Sequence, residues 1–204
     1  MPDVIKRTTR SPLSLVLLIA LALVVLVGCS SAGATATDWF FGDSLAVRVK
    51  QTKFAPQVSY SLCLPARALD CTVSHYVIKT SQEDRTILAA QIEVFNRQAT
   101  VAFLSIHKFS LRLTDQDYFE YRPLDPFQDS VQVEQPGPNE NTFLPFLWAD
   151  GSEYAPTISM PDKCGPDQNC VLVGWVFFEV PKNTKPTQII WEAANTIYMR
   201  FTGS

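Results

Sequence analysis

Between Leu45 and Phe201 the apolar residues recur mostly at every second position, and this period restricts the chain to β-strands. The longest stretch sets Leu88, Ala90, Ile92 and Val94 on one face and Ile87, Ala89, Gln91 and Glu93 on the other, and ends at Asn96, where a turn can form. Leu45, Val47 and Val49 form a similar strand, as do Val58, Tyr60 and Leu62. Further strands are predicted at Thr100–Ile106, at Phe109, Leu111 and Leu113, and at Thr187–Trp191 and Thr196–Phe201. Asp115-Gln116-Asp117 closes the second of these, with Tyr118–Tyr121 as its return strand. The near-continuous apolar run Val171–Phe178 predicts a central strand covered on both faces and stopped by Pro181. Beyond the first 29 residues no helical period is sustained, and residues 64–70 have room for one helical turn. About eight to ten short strands imply a two-sheet sandwich, with a closed barrel as the alternative.

The N-terminus follows a different rule. Lys6, Arg7 and Arg10 precede an apolar run from Leu13 to Val27, and that run leads into Leu26-Val27-Gly28-Cys29. A basic segment stays on the cytoplasmic side while the apolar one partitions into the membrane. The run of 15 residues is short for a spanning helix, which needs about 20 to cross a hydrocarbon core of about 30 Å. A retained, tilted anchor is the alternative to cleavage. The tetrapeptide resembles the lipobox of bacterial lipoproteins, and the resemblance implies cleavage before Cys29 once its thiol carries a diacylglycerol. After it, Ser30–Thr37 holds only small and polar residues and reads as a tether.

Removing residues 1–28 leaves 176 of the 204 residues, enough for one domain. The leader carries three basic residues and Asp3, so 14 Lys and Arg face 19 Asp and Glu in the remainder, a net charge of -5. An acidic domain with no basic run argues against nucleic acid as a partner. Five cysteines are an odd number for an exported chain, and lipidation of Cys29 leaves an even set: Cys63, Cys71, Cys164 and Cys170. Of the three possible pairings, the spacing favours Cys63 with Cys71 and Cys164 with Cys170, each around a short loop of turn-forming residues. A four-cysteine zinc site is the competing reading, against which stand the wide spacing and the oxidising compartment.

Two stretches, Ile92–Arg97 running through Phe109–Asp115 and Gly174–Lys182, resemble bacterial secreted domains of unknown function with a telokin-like, immunoglobulin-like fold. The resemblance covers residues 86–201 and implies an immunoglobulin-like sandwich outside the cytoplasm, with a binding role and no catalytic residues to carry over. Tyr118 stands where a glycine is expected after the aspartates of the first turn, and the loop before Gly174 carries two cysteines.

Catalytic and metal-binding signatures are sparse. His75 and His107 lie far apart, no Gly-x-Ser-x-Gly elbow exists, and the spacing of Asp115, Asp117 and Glu120 reads as a solvated turn more readily than as a calcium loop. Trp175, Phe177 and Trp191 read as core. Trp39, Phe40 and Phe41, and in the long loop Phe143, Phe146 and Trp148, either form an exposed binding patch or seal the sandwich. The loop of residues 122–169, rich in proline, is the first candidate for recognition.

The expectation is therefore an all-β, immunoglobulin-like two-sheet sandwich over residues 38–204, behind a helical signal peptide (1–28) and a lipidated cysteine with its tether (29–37). Its role would be binding, not catalysis, with an unrecognised envelope hydrolase or a purely structural envelope protein as the alternatives, and with no cofactor and no metal. It would sit lipid-anchored on the extracytoplasmic face of a cell membrane or outer envelope, with the membrane and an unidentified envelope protein or ligand as partners.

Overall fold

The computed structural model describes residues 38–64, 72–99, 102–104, 106–140, 142–146, 158–160, 166 and 170–201. The predicted signal peptide, the tether and the helical turn beyond Leu64 lie outside these residues, as does the Asp150-Gly151 pair, whose turn chemistry predicts a short hairpin after Phe146. Thirteen strands and no helix occur among them. In chain order they are β1 (Phe40–Phe41), β2 (Leu45–Ala55), β3 (Gln57–Leu64), β4 (Thr72–Lys79), β5 (Arg85–Asn96), β6 (Ala102–Leu104) and β7 (Leu111–Asp115). The remainder are β8 (Glu120–Tyr121), β9 (Val131–Val133), β10 (Ile158–Met160), β11 (Leu172–Pro181), β12 (Pro186–Trp191) and β13 (Ile197–Arg200).

The main sheet runs β1-β2-β5-β11, all antiparallel, and the sheet β13-β12-β7-β8 packs on its front. Together they make the sandwich that the period of two predicts. Leu88, Ala90, Ile92 and Val94 of β5 meet Leu111, Leu113, Ile189, Trp191 and Met199 in one core, all 0 % exposed. β6 pairs with β10 in a separate two-stranded ribbon. Asn96 is fully buried and closes the turn after β5, its side chain bonding both Ala99 N–H and Ala99 C=O at 3.0 and 2.8 Å.

The back of the main sheet is covered as well. After Pro56 the chain leaves the main sheet, because β3 pairs with β4, and β4 with β9, instead of continuing beside β2. This third layer sets Val58, Tyr60, Leu62 and Ile78 against Ile87, Ala89, Trp175 and Phe177. Tyr60 stacks between Tyr76 and Phe177 at 5.7 and 6.1 Å. Its hydroxyl donates to the Pro126 carbonyl, and burial pushes its pKa well above the usual phenol range.

Two expectations need correction. β11 buries both faces, but in the hydrogen-bond order it is the last strand and β5 is central. The outer edge of β11 is closed by two loop segments instead of a strand: Pro123 and Leu124 meet Phe178 and Phe177, and Leu144–Phe146 runs parallel to Trp175. Phe109 was expected on the buried strand face, yet it lies in a turn closed by Ser110 N–H donating to the His107 carbonyl at 2.8 Å, and is 61 % exposed. The strand begins two residues later, at Leu111.

Candidate functional site

Cys29, Cys71, Cys164 and Trp148 lie outside the described residues. Cys63 is exposed beside the end of β3 at Leu64, Cys170 precedes β11, and each is disulfide-bonded. Phe143 and Phe146, named as binding candidates, are each 4 % exposed and belong to the core, so the sealing alternative holds for these two. Phe143 meets the Trp175 ring edge-on at 5.0 Å on the back of the main sheet. Phe146 crosses to the front, 6.5 Å from the Trp191 ring. It lies so close over Gly174 that a Cβ there would come within 2.6 Å of its ring. The physical reason is the β11 edge: hydrogen bonds between residues 144–146 and Trp175 draw both phenylalanines inward. Of the other aromatic trio, Trp39 packs edge-on against Phe95 at 4.6 Å and Phe40 is half-buried, while Phe41 is 59 % exposed.

Three of the polar clusters among the described residues bear on the candidate chemistry. The first is a strip on the back of the main sheet. Cross-strand register sets Glu93 opposite Arg48, and an irregularity between Val49 and Gln51 lets Lys50 reach the same carboxylate. Glu93 accepts from Arg48 Nε at 2.6 Å and Lys50 Nζ at 2.7 Å with its side chain only 4 % exposed. Burial pushes its pKa up, but the hydrogen bonds and charges of Lys50 and Arg48 outweigh this and hold the carboxyl below its ordinary range.

The second cluster joins Ser61 of β3, His75 of β4 and Glu140 of the overlying loop. His75 Nδ1 lies 2.6 Å from Glu140 Oε1 and 3.1 Å from Ser61 Oγ. A serine–histidine–acid relay needs its two partners on opposite ring nitrogens, and here both fall on Nδ1. The arrangement ties loop to sheet and has no route for activating the serine.

The third is the β7–β8 turn. The buried Asp115 carboxylate accepts from the backbone N–H groups of Asp117 and Phe119, both at 2.9 Å, and from the Tyr121 hydroxyl at 2.8 Å. Burial, then the bond to Asp115, raises the Tyr121 pKa. Glu120 meanwhile pairs with Arg112 at 3.0 Å. These oxygens serve the turn, and no group of three or more metal-ligating side chains occurs among the described residues. Tyr118, at the position where a glycine was expected, has φ 64° and is 87 % exposed. The turn demands the left-handed conformation that glycine adopts freely, and the tyrosine takes it under strain.

Sequence reasoning missed the role of Glu93. A glutamate inside an apolar alternation was a signal, but its partners depend on a register that no local pattern reveals.

No protein-family model matches the chain, and no curated protein does. Among solved structures, an uncharacterized β-sandwich protein from Clostridium difficile 630 matches with 10 % identity and a TM-score of 0.32, covering 78 % of this chain and 83 % of that one.

Proposed function

We propose that the chain is an extracytoplasmic lipoprotein, held at a membrane through Cys29, whose sandwich acts as a binding module. The observation that carries the reading is Leu26-Val27-Gly28-Cys29, placed between a basic and apolar leader and a featureless tether. A further fact supports it: Cys63 and Cys170 are disulfide-bonded, as suits an oxidising compartment, and with Cys71 and Cys164 taken as their partners Cys29 is the odd cysteine left for lipid. We assign the local pairings, Cys63 with Cys71 and Cys164 with Cys170. Each acyl chain contributes about 0.8 kcal/mol per buried CH₂, so two or more chains hold the protein where one would release it.

A binding role is supported by the chemistry of the polar clusters, each of which holds structure together. Trp148 is the remaining member of the aromatic patch in the long loop. In cells fed labelled palmitate, label should enter the wild-type protein and be absent from Cys29→Ser, which should leave the membrane fraction. Label retained in the variant refutes the anchor. Crosslinking in the native envelope should yield a partner that Trp148→Ala loses and Ser61→Ala keeps. The reverse pattern would favour catalysis.

A further inference from the structure

One end of the sandwich combines exposed aromatic rings with cations. Four turns meet there: residues 42–44, 96–99, 107–110 and 192–196. They are joined by hydrogen bonds from Arg97 N–H to Ser44 C=O (2.8 Å), Ser44 N–H to Asn195 Oδ1 (3.1 Å) and Glu192 N–H to Ser110 C=O (2.7 Å). Two phenylalanines project from this end, Phe41 at 59 % and Phe109 at 61 % exposure. The Arg97 guanidinium lies 5.3 Å from the Phe41 ring, and Lys108 Nζ and the Arg122 guanidinium lie 5.6 and 5.8 Å from that of Phe109.

The nearby acids are Asp43 and Glu192, and Glu192 accepts from Arg112 at 2.8 Å and lies 3.9 Å from Arg122. With Arg112 and its other partner Glu120 included, four cations face three acids, a positive excess of one in a domain whose mature sequence is net negative. The opposite end also exposes aromatics, Tyr118 and Phe119, but there Glu83, Asp84 and Asp117 are offset by Arg85, Lys182 and Lys185, and no cation among the described residues lies over either ring.

The point where the tether joins lies nearer to one of the two ends. Trp39 is pinned against Phe95 and under Arg48, 4.4 Å from its ring, so the chain enters alongside the main sheet. From Asp38, the end bearing Phe41 lies four residues away, about 13 Å at 3.3 Å per residue, and the opposite end lies about 20 Å away along β2. Eight residues separate Cys29 from Asp38, a reach of about 28 Å at most.

We infer that this end, through Phe41, Phe109, Arg97, Lys108 and Arg122, rests on the anionic phospholipid surface in which Cys29 is anchored. The inference rests on the lipoprotein reading. The phenylalanine rings enter the headgroup boundary and the cations meet lipid phosphates, so the membrane orients the domain and leaves the Tyr118 end pointing away.

The test uses the full mature protein, reconstituted into vesicles of phosphatidylcholine with or without phosphatidylglycerol, and reads amide hydrogen exchange. Exchange at residues 107–110 and 42–44 should slow about fivefold when phosphatidylglycerol is present and recover in high salt, while residues 116–119 stay unchanged. A Lys108→Glu, Phe109→Ser double variant should lose the slowing. Both residues are exposed, so the variant retains the fold. Equal exchange at both ends, indifference to phosphatidylglycerol, or protection only when an envelope protein is added overturns the inference while leaving the anchor standing. Failure of the protein to enter vesicles at all overturns the anchor, and the inference with it.

Discussion

The two faces of the main sheet solve the same burial problem differently. The front is uniformly apolar, with β5 contributing Leu88, Ala90, Ile92 and Val94 to a single core. The back has two separate apolar patches, one under β3 and β4 and one where Ala46 and Phe95 meet Trp39, with the Glu93 strip between them. A continuous cover needs only area, whereas a divided one leaves residues at the seam that must satisfy their own polar groups. Register does this on the back, by placing a carboxylate between two cations.

The comparison breaks if the front does not dominate stability. Trp191 is fully buried, and its Nε1–H donates to the Ala193 carbonyl at 2.7 Å. Trp191→Ala should cost about 3–5 kcal/mol in a denaturant titration. Removing one partner of the back strip should cost less, because Arg48 and Lys50 remain partly solvated at 20 % and 52 % exposure. Glu93→Gln is expected to cost about 1–3 kcal/mol.

The same strip gives a pH signature. The folded-state pKa of Glu93 is depressed, so its stabilisation is fully present above the unfolded carboxyl value and is lost as pH falls through the folded one. Acid unfolding of Glu93→Gln should therefore show a flatter pH dependence than wild type below about pH 4. Parallel curves would remove the strip from the account. Gly174→Ala probes the front at its margin, where the added methyl meets Phe146, and about 1–2 kcal/mol of destabilisation is expected by thermal melting. The smallest effect lies off both faces: Tyr118→Gly should stabilise by about 1 kcal/mol, by releasing the left-handed strain.

Much of this fold was legible as periodicity. β5 runs along the alternation that defines it and stops at the predicted Asn96, and Trp175, Phe177 and Trp191 are core as expected. Local pattern could not say which sheet a strand joins. Val58, Tyr60 and Leu62 alternate correctly, but the third layer they build follows from the break at Pro56. Nor could it say that prolines would close the β11 edge: Pro123 and Pro145 lack the N–H of a ladder, and isolated bridges suffice there. Phe109 shows the opposite failure, since the period of two continues through it although the turn holds it outside. For the candidate site, the position of Tyr118 was readable as a missing glycine, whereas the aromatics of the long loop were ambiguous until the β11 edge drew Phe143 and Phe146 inward. Cys29 is legible in the sequence alone.

Since location and function are both inferred from Cys29, the mass of the N-terminal peptide from protein purified from its native membrane tests the account most directly. The account predicts a peptide that begins at Cys29 and carries a diacylglycerol on its sulfur. A peptide that retains Met1, or an unmodified Cys29, would contradict it.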